Sequence, residues 1–179
     1  MHRAPAALPA ALRARLLQSN PGVGQFALLD GALDQRLSDR LARGDAPPSR
    51  CLWSAEPASA LGQVAPWLVE LPPEPAGRAS FVDALSPAGC PVFVAAPQPL
   101  APLWRHLRQL AVVPGPEGRP LHFRFWDSRV LAAALPLLSA AQRQEFFGPI
   151  DSFQIVGEIQ CVVYERSRVD GELTTTCVA

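Results

Sequence analysis

Residues 121–155 read LHFRFWDSRVLAAALPLLSAAQRQEFFGPIDSFQI, and this stretch decides the predicted fold. Its first six residues alternate between two sides, with Leu and Phe on one side and His, Arg and Trp on the other. That period of two is typical of a β-strand. After Asp127 the apolar residues recur at helical spacing, so the period changes to 3.6. The pattern predicts a strand over residues 121–126, two helices and a further strand.

Short polar residues and a Gly-Pro pair mark the boundaries inside this stretch. Asp127 or Ser128 is placed to cap the first helix, because a short side-chain oxygen accepts hydrogen bonds from the unpaired amides of a first helical turn. Ser139 is placed to begin the second helix in the same way. Gly148 and Pro149 end that helix.

Outward from this stretch, apolar runs of strand length alternate with helical segments. Strands are predicted at residues 25–29, 66–71 and 91–95, and helices at residues 32–42, 78–85 and 100–112. Such alternation favours an α/β fold with a mixed β-sheet and crossover helices.

The C-terminal part predicts a β-hairpin, because the apolar segments 152–156 and 159–165 are joined by Gly157 and Glu158 alone. Residues 166–179 are polar, and we expect a frayed tail there. Residues 1–179 suit a single domain, with room for two lobes of about 1–115 and 119–165.

Composition excludes several classes of function. The formal net charge is zero and the isoelectric point is about 6.8, so no global charge attracts a nucleic acid. All 16 basic residues are arginine, which excludes lysine-based Schiff-base chemistry. The first 17 residues form neither a convincing signal peptide nor a membrane span. We expect a cytoplasmic protein without membrane insertion.

Groups that could perform catalysis or hold a metal are few. The histidines form no metal-binding pair, and the cysteines are far apart in sequence and form no CxxC motif. These residues are His2, His106 and His122, and Cys51, Cys90, Cys161 and Cys177. The sequence therefore predicts no catalytic residue, no metal and no cofactor.

One group of polar residues supports an alternative, catalytic interpretation. Asp127 and Arg129 lie at the predicted strand end, where catalytic groups are common, although a helix cap with an arginine partner is the simpler interpretation. Arg124 requires a carboxylate partner if it faces inward, and the candidates are Asp127, Asp30 and Asp151. Asp30 itself precedes a glycine and is typical of a turn.

Large aromatic residues lie near the ends of predicted elements. They are Trp53, Trp67, Trp104, Trp126, Phe146 and Phe147. We expect most of them in the core. Any that are exposed together would form a protein-binding patch, because aromatic and arginine side chains dominate interface hot spots.

Four segments in order resemble a known family. They are FALLDGA (residues 26–32), PWLVEL (66–71), FRFWDSRVL (123–131) and FFGPIDSF (146–153). Together they are similar to the bacterial type VI secretion adaptor proteins, also called effector chaperones (the Tap or TEC family). Where relatives usually carry Tyr-Asp-Pro-Arg, this chain has Trp126-Asp127-Ser128-Arg129, and the serine keeps a good helix start.

The resemblance implies a non-catalytic cytoplasmic adaptor without a cofactor. Its implied partners are a toxic effector and the VgrG spike protein onto which the effector is loaded. The motif or protein-binding residues that it implies are Asp30, Trp67, Arg124, Trp126, Asp127, Arg129, Phe146 and Phe147. Two alternatives stay open: a small α/β enzyme that acts on an anionic molecule through Asp127, Arg129 and Arg124, and a structural scaffold subunit.

Overall fold

A seven-stranded sheet forms the centre of the computed structural model, which describes residues 8–18, 20–33, 39–41, 43–53, 55–85, 91–157, 161–167 and 172–178. In chain order the strands are β1 (Gly24–Asp30), β2 (Ser49–Cys51), β3 (Pro66–Glu70), β4 (Val92–Ala96), β5 (Val112–Pro114), β6 (Pro120–His122), β7 (Ser152–Val156), β8 (Cys161–Arg166) and β9 (Leu173–Val178). The large sheet has the order β2-β3-β1-β4-β7-β8-β9, and β5 and β6 form a separate two-stranded hairpin.

Helices cover both faces of the large sheet. They are α1 (Ala10–Leu17), α2 (Ala60–Val64), α3 (Pro75–Leu85), α4 (Leu100–Leu110), α5 (Ser128–Ala134) and α6 (Ala140–Phe147). One hydrophobic cluster joins α4, α5 and α6 to one face of the sheet. The other cluster joins α1 and α3 to the opposite face. The result is a three-layer arrangement, in which β4 is buried along its whole length.

The helix boundaries that the sequence predicts in its central stretch are confirmed. Asp127 is the N-cap of α5, and its side chain accepts from the backbone N–H of Arg129. Ser139 caps α6 through a reciprocal capping box with Gln142. Gly148 ends α6 with a φ of 47°, a conformation that glycine adopts without a Cβ clash.

The α/β class, the crossover helices and the C-terminal hairpin of β7 and β8 are confirmed. The sheet, however, is antiparallel at every neighbouring pair described rather than mixed. The reason lies in β1, which stands between β3 and β4 and runs opposite to both. Helix α3 therefore connects two strands that are parallel to each other but not adjacent.

The strand predicted at residues 121–126 is wrong beyond residue 122. Only Pro120–His122 is a strand, and it pairs with β5. The bonds from the Phe125 N–H to the Phe123 carbonyl and from the Asp127 N–H to the Arg124 carbonyl belong to turns. The adjacent side chains of Phe125 and Trp126 are therefore buried in the same hydrophobic cluster, whereas a strand would direct them to opposite faces.

The frayed tail is also wrong, because residues 173–178 form β9 and pair with β8 along its length. The helix predicted at residues 32–42 falls largely outside the described residues, as does Cys90. Strand β4, from the first of the two lobes allowed by the sequence, pairs with β7 from the second. Both parts therefore contribute to one sheet, while the division into lobes stays a prediction.

Gly31, directly after β1, allows a close backbone approach that we use as a test of the fold. A Cβ at this position would lie 2.7 Å from the carbonyl oxygen of Ala65 and 2.8 Å from that of Gln63. We expect Gly31→Ala to lower the free energy of unfolding by about 2 kcal/mol, because backbone atoms must move apart. Urea unfolding measures the change.

Gly77→Ala is the matched control for this prediction. Gly77 lies in α3, and its added Cβ would meet only the Pro72 side chain, at 3.4 Å. Alanine is the better helix former, so stability should stay equal or rise by up to about 1 kcal/mol. Equal losses in the two variants would contradict the close approach at Gly31.

Candidate functional site

Two ion pairs lie where β1 ends and where α5 begins. Arg124 stands in the turn before α5, and its Nη2 donates to Oδ2 of Asp30 at 2.8 Å. Asp30 is the last residue of β1, and its Oδ1 accepts from the backbone N–H of Ala32 at 3.0 Å. Asp30 is therefore both the predicted turn aspartate and the partner of Arg124, one of the three candidates that the sequence offers.

The two partners of this pair differ in exposure. The Asp30 side chain is 5% exposed, whereas that of Arg124 is 52% exposed. A buried carboxylate is costly without a charged or hydrogen-bonding partner. The pair therefore stabilises Asp30, while part of the Arg124 guanidinium stays open to solvent.

Asp127 and Arg129 form the second pair. Besides capping α5, the Asp127 carboxylate accepts from Arg129 Nε at 3.0 Å and from Arg129 Nη2 at 2.8 Å. Two parallel bonds of this kind are the strong geometry of an arginine–carboxylate pair. The Asp127 side chain is again buried and that of Arg129 is mostly exposed.

The charges of the two pairs act on each other. Hydrogen bonds from the Arg129 side chain hold the pKa of Asp127 below its usual range, against an opposing effect of burial, and the charge of Arg124 contributes in the same direction. The sequence-predicted residues Asp30, Arg124, Asp127 and Arg129 are thus brought together. They present two guanidinium groups above two buried carboxylates.

The motif segments also contribute buried aromatic rings, which pack against one another. Trp126 meets Trp53 edge to face at 5.9 Å between ring centroids and Phe125 at 5.4 Å. Phe146 and Phe147 both contact Phe153 of β7, at 5.2 Å and 5.1 Å. Trp126, Phe146 and Phe147 are all buried, so they act through the fold and present no exposed aromatic patch.

Trp67 pairs with Leu29, next to Asp30, but its side chain lies on the other face of the sheet. It is buried in the cluster on the α1 and α3 face of the sheet, and its indole N–H donates to the Gly62 carbonyl at 3.0 Å. Its role in the structure is to attach α2 to β3. Trp67 is therefore not brought together with the two ion pairs.

Sequence reasoning missed two features of the surface. Leu33 and Val64 are exposed although both are apolar, and the bond from the Gly31 N–H to the Ala65 carbonyl joins their segments. The guanidinium groups of Arg50 and Arg108 lie over the Trp104 ring. Only the spacing of Trp104 and Arg108, four residues apart in a helix, signals such a contact beforehand.

The carboxylate oxygens of this region already accept hydrogen bonds from within the protein. Both oxygens of Asp127 accept hydrogen bonds from Arg129, and both oxygens of Asp30 also have donors. Among the described residues no group of three histidine, cysteine or acidic side chains is placed to hold a metal ion. The groups left facing solvent are guanidiniums, which bind carboxylates and other planar anions.

Residues 25–145 match the family model described as Domain of unknown function (DUF4123). The chain belongs to this family. The matched DUF4123 region contains three of the four motif segments noted in the sequence, and the fourth begins at the next residue. No curated protein and no solved structure matches the chain. Within the described part of this DUF4123 chain, no helix has the length and apolar character needed to cross a membrane.

The Arg124–Asp30 pair is tested by a double-mutant cycle. We expect Arg124→Gln to lower the free energy of unfolding by about 2 kcal/mol, because a buried carboxylate loses its charged donor. Asp30→Asn added to that variant should cost less than it does in the wild type. Urea unfolding of the four proteins gives the coupling energy.

The exposed pair of Arg43 and Asp45 provides the control for this cycle, since both side chains are more than 60% exposed. Arg43→Gln should change stability by less than about 0.5 kcal/mol. If the effects of Arg124→Gln and Asp30→Asn were simply additive, the two residues would not depend on each other.

The cap at Asp127 is tested through pH. Its pKa is lowered in the folded state from 3.8, so its stabilisation is present above pH 3.8 and is lost as the pH falls through the folded-state pKa. Asp127→Ala should cost about 1 kcal/mol at pH 7. The difference from wild type should shrink below pH 3.8, as measured by thermal unfolding across pH.

Asp127→Ser separates the cap from the charge in that experiment. Serine keeps an N-cap oxygen but cannot titrate, so this variant should lie between wild type and Asp127→Ala at pH 7. A gap between wild type and Asp127→Ala that stayed constant down to the lowest pH would show that the carboxylate charge contributes nothing.

Proposed function

We propose that this chain is a non-catalytic adaptor of bacterial type VI secretion, which binds a toxic effector and assists its loading onto a VgrG spike. The observation that carries the proposal is the match to the DUF4123 family over residues 25–145. That region holds, in order, three of the segments that resemble the adaptors. The proposed site of action is the bacterial cytoplasm.

The use of the motif residues supports a binding role. The polar and aromatic side chains of the adaptor-like segments make their contacts inside the molecule: Asp30 and Asp127 bind arginines, and Trp126 is buried. These residues build a rigid corner between β1 and α5. A rigid corner suits recognition, because little conformational freedom is lost when a partner binds.

The effector-binding face that we propose is the β1-end surface, defined by Leu33, Leu61, Val64 and Arg124. Leu33 is 58% exposed and Val64 is 45% exposed. Arg124 reaches the end of β1 through Asp30, three residues before Leu33. An apolar centre with an arginine at its border is the usual composition of a protein interface. About 800 Å² buried on each partner would suffice for a stable complex.

The enzyme alternative is less well supported. It requires Asp127, Arg129 and Arg124 to converge on an anionic substrate with their polar atoms available. Asp127 instead caps its own helix and accepts two bonds from Arg129, and Arg124 is paired with Asp30. The scaffold alternative predicts a stable homo-oligomer, which light scattering measures directly.

Affinity purification tests the proposal. The tagged protein is purified from its native host with a high-salt wash, and the bound proteins are identified by mass spectrometry. We expect a VgrG-like spike and a large toxin-like protein. The variant Leu33→Asp/Val64→Asp should lose the toxin-like protein, since two carboxylates would be placed in the apolar centre of the interface.

Leu137→Asp is the matched control, because Leu137 is 83% exposed and lies between α5 and α6. It should retain both partners. Recovery of the protein alone would refute the loading role. Loss of both partners in all variants alike would argue against the β1-end surface as the contact.

A further inference from the structure

A second surface carries an inference of its own, independent of the proposed function. It is the arginine–tryptophan stack, defined by Arg50, Trp104 and Arg108. The guanidinium carbon of Arg50 lies 5.4 Å from the centroid of the Trp104 ring, and that of Arg108 lies 5.2 Å from it. Two cations from different elements therefore share one aromatic ring.

The tryptophan in this stack is held in place. Its indole N–H donates to the backbone carbonyl of Cys51 at 2.8 Å, and its ring is partly buried against the cluster beneath α4. The same bond occupies an outward carbonyl of β2, which is an edge strand of the large sheet. One backbone carbonyl of this edge strand is therefore not available to a partner. A partner at this edge would contact side chains instead.

The positions of the two arginines follow from the fold. Arg108 lies four residues after Trp104 in α4, so the two side chains are on the same face of the helix. Arg50 is paired in register with Leu68 of β3, and Leu68 belongs to the cluster on the α4 side of the sheet. Arg50 therefore reaches Trp104 from the sheet, and Arg108 reaches it along the helix.

Among the described residues, no ion pair supplies a counter-charge to the stack. The ion pairs of the described residues involve Arg13, Arg15, Arg43, Arg124 and Arg129. None of those pairs includes Arg50, Arg108 or the neighbouring exposed Arg105. Each cation gains from the ring, but the two like charges oppose each other. An anion bound between them would remove that repulsion.

We propose that the arginine–tryptophan stack binds an acidic segment of a partner protein. Carboxylates of aspartate or glutamate would pair with the guanidiniums of Arg50 and Arg108, whose planar donors match a carboxylate. An apolar side chain of the segment would cover the exposed part of Trp104. Tryptophan and arginine are the residues that most often dominate binding energy at protein interfaces.

A peptide partner fits better than a nucleic acid. The protein as a whole has a formal net charge of zero, whereas a polyanion is normally met by an extended row of basic groups. The stack is instead a compact site with two cations and one ring. Two guanidiniums can pair with two carboxylates of one short segment.

Selection from a random peptide library displayed on phage tests this inference without knowledge of the natural partner. We expect the selected peptides to be enriched in aspartate and glutamate over the starting library. Fluorescence polarisation with labelled copies of those peptides then measures affinity. The variant Arg50→Gln/Arg108→Gln should weaken binding by at least about tenfold, and replacing Asp by Asn in a peptide should do the same.

The control variant Arg43→Gln/Arg119→Gln removes the same two charges elsewhere and should bind like the wild type. Circular dichroism shows whether each variant is folded. Neither variant replaces Trp104. The inference would be overturned if no peptide were selected, if the selected peptides lacked acidic residues, or if Arg50→Gln/Arg108→Gln bound them unchanged. Binding of a labelled oligonucleotide that depended on Arg50 and Arg108, in place of peptide binding, would also overturn it.

Discussion

The ion pair between Arg124 and Asp30 connects two parts of the chain that are 94 positions apart. Asp30 ends β1, which is enclosed between β3 and β4, and Arg124 begins the turn that leads into α5. The buried Asp30 carboxylate has its charged partner in this guanidinium, and a buried carboxylate without a partner is costly. The pair therefore fixes where the turn at residues 123–127 crosses the end of the sheet.

Several consequences follow from the position of that turn. Phe125 and Trp126 enter the same hydrophobic cluster side by side, whereas a regular strand would direct them to opposite faces. Asp127 arrives at the start of α5 with its carboxylate directed at the first helical amides. The helix in turn carries Leu131 into the same cluster as Phe146 and Phe147. A polar contact at the surface and a hydrophobic core beneath it thus depend on each other.

Local signals in the sequence were sufficient wherever the governing interaction is itself local. Strand β4 is a continuous apolar run, and α6 begins with a capping box only four residues long, so both were predictable. The antiparallel sheet was not predictable, because it depends on the position of β1 between β3 and β4. No local sequence pattern indicates that position. Strand β9 was missed for a similar reason: a polar segment becomes a strand when it pairs with β8.

In the candidate site, too, local interactions were predictable from the sequence and long-range ones were not. Asp127 was predictable as a cap, since the cap involves residues two positions apart. Asp30 was only one of three candidates for Arg124, because sequence separation hides the pairing. Most of the large aromatic residues were expected in the core, and Trp67, Trp126, Phe146 and Phe147 are buried. The position of Trp126 beside Phe125 in one cluster follows from the turn at residues 123–127, which alternation alone does not reveal.

The distribution of aromatic and basic residues bears on how this chain recognises other molecules. The motif aromatics are buried in the core, so the exposed groups able to recognise a partner are mainly guanidiniums. The chain contains no lysine. A guanidinium can lie on an aromatic ring and still present a fork of donors to a carboxylate. At the end of β1 and the start of α5 each guanidinium already pairs with a buried carboxylate. Over Trp104, no carboxylate of the described residues forms an ion pair with Arg50 or Arg108. The arginines at β1 and α5 therefore hold the fold, whereas those over Trp104 keep the charge with which we propose that the chain binds an acidic partner.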